Sequence, residues 1–435
     1  MDKKLIALMA FFGLLFIILN QLNPTLLWDE NAYLGNARSH LTTSNYTEDF
    51  RFPILEWLIT GAWFFTGESV LAAKLLIIIL SLLTILIFYA ISEELFPKKA
   101  FLATMIYSFS SLFLYWGFRV YTEIPLILFI LLSFYCIMKD KYKLAGLFSG
   151  LAFLTKFTVA ILPFSVILFL LYNKKFKKTI LFLSFFLIPL IPWIIFNHLN
   201  YGNIIWDFLA QYEIVDAYGV KQPFSIALQS IARVLGVLIF LIPFGVYSAL
   251  KDKKKTLQMM IFYSAIMLGY FIFFIKIKYD RYLFPIFPCL VLIAYEGSMY
   301  IGKSKKLKVF AVLLLIVSVL LGTIPAIERI SSEIYCNQNG VISQTFDYLN
   351  GKVNSSDLIV SNYWPYFGYH FNSKVSSIWS NPEDIVRVQG PKYFIISPQL
   401  GDYFNESLLD SNRFIFEKEF IDKCNRNSSV YKVIY

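Results

Sequence analysis

The sequence predicts an all-α polytopic membrane protein, with about eleven helices crossing the bilayer and a small α/β domain on the outer side. Three observations carry this. Hydrophobic residues are 57% of the chain and charged residues 16%, against about 45–50% and 25% in soluble domains, so lipid must solvate much of the apolar surface. Apolar runs recur through residues 1–327, separated by short lysine clusters. From about Glu328 the runs stop, and scattered polar residues, turn pairs and short β-rich segments take over. The net charge of +10 sits in lysine clusters between apolar runs, which is the pattern of cytoplasmic loops and not of a nucleic-acid-binding face.

In chain order, Lys3 and Lys4 precede an apolar run from Leu5 to Leu19. No small-residue cleavage site follows it, so it reads as a retained first helix with its N-terminus inside. Further runs lie at 70–91, 100–117, 124–138, 144–155, 157–172, 179–196, 226–248, 257–275, 282–300 and 309–327. Several are shorter than the ~20 residues of a straight span and need flanks or tilt to cross. Pro163 and the lone Lys156 argue for a break within 144–172. Loops on the N-terminal side carry Lys98 and Lys99, Lys139 to Lys143, Lys174 to Lys178, Lys251 to Lys255 and Lys303 to Lys308; the opposite loops carry few cations, so the N-terminus is expected inside and the C-terminus outside.

The expected division is 1–327 for the transmembrane part, with an outer loop at 23–69, and 328–435 for the outer domain. Within that loop, residues 53–65 are apolar and aromatic, too short to span and bounded by Gly67, so they read as a helix lying in the interface. In the tail, Asn339-Gly340 and Asn350-Gly351 mark turns, while Asp357 to Val360 and Lys392 to Ile396 read as strands. Cys336 and Cys424 are candidates for a disulfide there; Cys136 and Cys289 lie in apolar runs and read as packing residues. The permitted sequons, Asn45, Asn354, Asn405 and Asn427, all fall on the expected outer side.

The candidate chemistry clusters on that side. Trp28-Asp29-Glu30-Asn31-Ala32-Tyr33 puts two adjacent carboxylates at a helix mouth, where they suit proton abstraction from a hydroxyl; Asp29 equally suits the cap of a helix over Ala32 to Ala37. In Arg119-Val120-Tyr121-Thr122-Glu123-Ile124-Pro125 an acid and a base sit at membrane-surface depth, either facing a polar cavity or pairing at i, i+4. Lys156 either serves the site or snorkels to the interface. Arg281, in Tyr279-Asp280-Arg281-Tyr282-Leu283-Phe284-Pro285, either forks onto a phosphate or pairs with Asp280. There is no Gly-rich phosphate loop, no H-E-x-x-H, no C-x-x-C and no Asp-x-Asp, and His40, His198 and His370 are far apart in sequence. No cofactor is required by this pattern, and a divalent metal is not indicated, although adjacent carboxylates are capable of holding one.

The ordered set Trp28-Asp29-Glu30…Tyr33, Phe52-Pro53-Ile54-Leu55-Glu56-Trp57-Leu58, Arg119…Thr122-Glu123-Ile124-Pro125, Gly150-Leu151-Ala152…Thr155-Lys156 and Arg281-Tyr282-Leu283…Pro285 resembles the GT-C glycosyltransferases. Within them it looks most like the protein O-mannosyltransferase and aminoarabinose-transferase-like group. The resemblance covers residues 1 to about 300 and not the tail from 328. It implies a sugar donor linked to polyprenyl or dolichyl monophosphate, used on the outer face, with a protein, glycan or lipid hydroxyl as acceptor. Carried over residue by residue, Asp29 is the general base with Glu30 beside it. Glu123 binds the acceptor or orients cations. Arg51, Lys156 and Arg281 meet the donor phosphate, with Tyr33, Arg119 and Tyr282 as substrate-binding neighbours. Only Pro53 remains of the family's proline pair, which bears on the placing of Arg51. The expected setting is a prokaryotic plasma membrane, with membrane lipids and no nucleic acid as partners.

Two other readings stay open on the sequence. An oligosaccharyltransferase-like enzyme would share the first loop but carry a Trp-Trp-Asp-Tyr-Gly signature, which this chain lacks. A transporter or flippase of lipid-linked sugars would show related halves and charges near the midplane, whereas here the polar residues gather at one face.

Overall fold

Apolar sequence with helical propensity and no water to satisfy its backbone must bond to itself, and each of the apolar runs above is helical in the computed structural model. The structure describes residues 2–218, 221–338, 340–378, 390–397, 409 and 412–434. Asn405 and Asn339 fall outside them, so nothing further is said of that sequon or of the Asn339 half of its turn.

The helices in chain order are α1 (Lys3–Leu22), α2 (Trp28–Ser39), α3 (Ile54–Thr66), α4 (Val70–Leu95), α5 (Ala100–Ser108), α6 (Ser111–Trp116), α7 (Glu123–Met138), α8 (Tyr142–Thr155), α9 (Ile161–Tyr172), α10 (Phe176–Leu187), α11 (Leu190–Tyr201), α12 (Trp206–Tyr218), α13 (Phe224–Leu235), α14 (Ile242–Lys251), α15 (Lys255–Phe273), α16 (Phe287–Ile301), α17 (Lys305–Asn337), α18 (Val341–Leu349) and α19 (Trp364–Phe371). Among the described residues, five helical stretches are long and apolar enough to span a bilayer, or up to 7 if each of two bent pairs is one span. Those pairs are α10 with α11, bent by 41°, and the 224–240 stretch with α14, bent by 58°. The chain is thus a multi-pass membrane protein, and bending accounts for runs that look short in sequence.

Local chemistry sets the breaks. Ser110 Oγ donates to the Tyr107 carbonyl and accepts from the Phe113 amide, so run 100–117 divides into α5 and α6. The expected break in 144–172 falls at Lys156, which is extended (φ −161°) between α8 and a 3-10 turn at Phe157–Ala160. Pro163 does not contribute to it. It lies in the first turn of α9, where a missing amide costs little.

By packing, the chain forms two units. The first is residues 1–18, 50–55 and 74–328; the second is 19–49, 56–73 and 329–435. Most of segment 23–69 therefore packs in the same unit as residues 329–435. In the first unit, glycines allow helices to touch backbone to backbone. A Cβ on Gly245 of α14 would lie 1.8 Å from the Ile293 carbonyl oxygen of α16, and one on Gly297 2.0 Å from that of Leu241. Gly146 and Gly150, four residues apart on α8, meet α10 in the same way.

The second unit holds a five-stranded sheet of β1 (Leu358–Ser361), β2 (Lys374–Ser376), β3 (Tyr393–Ile396), β4 (Phe414–Ile421) and β5 (Asn427–Val433), in the order β2-β1-β3-β5-β4. The β2-β1-β3 half is parallel and the β3-β5-β4 half antiparallel. Ile359, Ile395 and Val430 pack under Val341 and Leu349 of α18 and Phe367 of α19. Cys336, at the end of α17, is joined to Cys424 in the β4–β5 turn, while Cys136 and Cys289 are buried free thiols.

Candidate active site

The sequence-derived residues divide between the units: Asp29, Glu30 and Tyr33 lie in the second, while Arg51, Arg119, Glu123, Lys156, Arg281 and Tyr282 lie in the first.

In the first unit the structure gathers most of the cationic set. Glu123 opens α7 and is 2% exposed, and its Oε1 accepts from Lys156 Nζ at 2.9 Å. Thr122 Oγ1 donates to the other carboxylate oxygen at 3.3 Å. Lys156 therefore does not snorkel outwards; its ammonium faces Glu123 and stands 4.9 Å from the Tyr282 ring. Arg281, in the 3-10 turn Asp280–Ile286, has its guanidinium within 6 Å of Trp116, Tyr121, Tyr279 and Tyr282. Asp280, beside it in the chain, accepts from Arg233 at 3.0 Å. Arg119 donates to the Tyr115 carbonyl at 3.2 Å and lies over the Tyr115 ring. Fixed cations among aromatic faces, in a region of low polarity, are suited to meet an anion.

Arg51 is 8% exposed. Its neighbour Phe52 is stacked with Phe157, the residue after Lys156. Two buried charged residues of the first unit escaped the sequence reading. Asp207, 4% exposed at the start of α12, accepts from Trp193 Nε1 at 2.7 Å. Lys74, 7% exposed, sits in the first turns of α4. The signal for Lys74 was a single cation at the start of a long apolar helix.

In the second unit, Leu27 stands just before α2, and Glu30 supplies its cap. Glu30 Oε2 accepts from the Leu27 amide at 2.7 Å and the residue is 1% exposed. A carboxylate at the third helical position reaches back to this amide, whereas one at the second does not. Asp29 is left half-buried in the first turn, and Tyr33 is buried one turn on. The Trp28 ring meets Trp364 edge-on at 4.6 Å. Burial, then the charges of Glu30 and other neighbours, pushes the Tyr363 hydroxyl well above the usual phenol range.

The sequence reading also missed two buried acids that fasten this loop. Glu48 accepts from Tyr46 Oη at 3.0 Å and Trp364 Nε1 at 2.8 Å. Asn36 bonds the Glu48 amide, its carbonyl and Glu56 Oε2. Glu56 Oε1 lies 3.2 Å from His40 Nε2, and that bond raises the His40 pKa above 6.5, burial acting the other way. Asn45, Asn354 and Asn427 also lie in this unit; the Asn45 amide nitrogen donates to the Ser355 and Asn372 carbonyls. Among the described residues no three of His, Cys, Asp and Glu converge as metal ligands.

Residues 51–196 match the family described as dolichyl-phosphate-mannose-protein mannosyltransferase. Over 331 residues the chain is 29% identical to undecaprenyl phosphate-alpha-4-amino-4-deoxy-L-arabinose arabinosyl transferase 1 of Proteus mirabilis, covering 67% of this chain and 59% of the relative's length. Among solved structures, ArnT from Cupriavidus metallidurans in the apo state superposes with a TM-score of 0.70 at 10% identity, covering 98% of this chain and 97% of that one. The same protein bound to undecaprenyl phosphate gives 0.67 at 12% identity, covering 99% and 98%. The mycobacterial arabinofuranosyltransferase AftD gives 0.58 at 11% identity, covering all of this chain (100%) and 40% of that one. The chain thus shares its fold with these solved structures.

Proposed function

We propose that this chain, a membrane protein with the GT-C fold, is a glycosyltransferase that moves a sugar from a polyprenyl monophosphate donor to a hydroxyl acceptor. The observation that carries the reading is the buried Glu123–Lys156 pair beside Tyr282 and Arg281. That arrangement places fixed positive charge among aromatic rings, as a departing lipid phosphate requires. The relatives that match in sequence are themselves sugar transferases, which also leaves transport disfavoured.

In the reaction the acceptor oxygen attacks the anomeric carbon and the sugar–phosphate bond breaks, leaving the electron pair and negative charge on the lipid phosphate. Asp29 takes the hydroxyl proton. Arg51, Lys156 and Arg281 neutralise the phosphate. Glu123 holds Lys156 in place, and Arg119, Tyr33 and Tyr282 bind substrate. A single displacement inverts the anomeric configuration. The reaction belongs on the extracytoplasmic face of a prokaryotic plasma membrane.

The test is sugar transfer by membranes carrying wild type or Asp29→Asn, with a panel of radiolabelled polyprenyl-monophosphate sugars as donors and native membrane extract as acceptor. Wild type should consume one donor. The variant, equally abundant and still binding that donor, should be slower by about 100-fold or more. Label crossing sealed vesicles without turnover would replace this reading with transport.

A further inference from the structure

We infer that Trp193, packed on Phe52 and held by Asp207, is a positioning residue that sets the placement of Arg51 and Lys156. The inference rests on the assignment of those two cations to the donor phosphate. Neither lies in a regular element that would hold it. Arg51 belongs to the non-helical stretch before α3, and Lys156 is the extended hinge between α8 and the turn that follows. Each is followed directly by a phenylalanine, and those two rings meet: Phe52 and Phe157 are stacked at 6.0 Å with planes 29° apart.

Trp193 of α11 continues the stack on Phe52, at 5.6 Å and 25°. The first residues of α12 then grip both ends. Asp207 accepts the Trp193 indole hydrogen at 2.7 Å, and Phe208 meets Phe157 edge-on at 5.4 Å. A carboxylate 4% exposed is costly to bury, and here its oxygen fixes the one polar atom of the ring that ends the stack. Rings offer large contact area with few rotatable bonds, so the stack ties two irregular backbone segments to a helical hairpin. Cations meant to meet a phosphate must be in place before it departs, and misplacement by about 1 Å can cost on the order of 100-fold in rate.

The experiment compares wild type, Trp193→Phe, Trp193→Leu and Phe52→Leu in detergent micelles, with two readouts. One is the affinity for undecaprenyl monophosphate. The other, made without any lipid ligand, is the rate at which an amine-acylating reagent modifies Lys156, followed by peptide mass spectrometry. Trp193→Leu and Phe52→Leu should bind the lipid phosphate about 10-fold to 100-fold more weakly and expose Lys156 to faster acylation. Trp193→Phe, which keeps a ring but loses the bond to Asp207, should restore most of both readouts. Unchanged acylation and affinity in both leucine variants would overturn the inference, as would equal losses in Trp193→Phe and Trp193→Leu. If wild type itself does not bind the lipid phosphate, the donor assignment fails, and the acylation rates still decide whether the stack positions Lys156.

Discussion

Removing Lys156 separates its structural from its chemical role. At 2.9 Å the Glu123–Lys156 attraction is about 6 kcal/mol before solvation costs, taking an effective dielectric near 20. Most of this is offset by the desolvation of two charges, so the pair adds little net stability. Breaking it is another matter: Lys156→Met leaves Glu123, 2% exposed, as an uncompensated buried carboxylate, which costs about 3–5 kcal/mol. The double variant Lys156→Met with Glu123→Leu removes both charges and should recover most of that loss. Chemical denaturation in detergent measures the stability, and donor-dependent sugar release measures turnover. The single variant is expected to be unstable and inactive, the double variant stable and still inactive. A double variant that recovers turnover along with stability would refute the claim that Lys156 meets the phosphate, and would leave the pair a purely structural contact.

Three other perturbations follow from the packing. Gly245→Ala and Gly297→Ala each drive a Cβ into a carbonyl oxygen of the facing helix, and thermal unfolding should show about 1–3 kcal/mol lost for either. Because both open the same α14–α16 seam, the double variant should lose less than the sum, and full additivity would speak against a shared seam. Replacing Cys336 and Cys424 by serine releases a link between residues 88 apart, worth about 4–5 kcal/mol by chain entropy, so unfolding of the second unit should shift to markedly lower denaturant; an unchanged midpoint would count against the link. The Glu56 bond raises the His40 pKa in the folded state, so its stabilisation is full below pH 6.5 and is lost as pH rises through the raised value. His40→Gln should flatten stability against pH above 6.5, and an unaltered profile would show that the pair is not coupled to folding.

What the sequence disclosed, and what it hid, follow from the range of the interactions. Periodicity and composition are local, so the apolar helices, the break at Lys156, and strands β1 and β3 could be read from short windows. The bends within 179–196 and 226–248 could not, because hydropathy carries no direction. That Glu30 caps α2 was not legible, because residue preference names aspartate, while the reach of the side chain decides which carboxylate meets the Leu27 amide. Glu48 and Asp207 were invisible for a different reason. Each looks like an ordinary surface acid until its indole partner arrives, for Glu48 from 316 residues away and for Asp207 from the neighbouring helix.

The same long-range contacts decide how the tail relates to the candidate base. Asp29 stands in the first turn of α2, and what orients that turn is the 362–364 segment after β1. Trp28 packs edge-on against Trp364 and donates to the Asn362 carbonyl at 3.4 Å, while the Trp364 indole reaches on to Glu48. The segment is itself pinned, because the Ser397 amide donates to Asn362 Oδ1 at 2.8 Å, tying it to the residue that follows β3. Gly368 of α19 and Gly35 of α2 both face the Tyr46 ring, with no room for a Cβ at either position, so helix, loop and tail close on one side chain. A base must hold its geometry while a proton moves, and a first turn without such support would fray. The first turn of α2, which carries the candidate base, is therefore held by residues 362–397, so a change at Trp364 should disturb Asp29 as much as a change beside it.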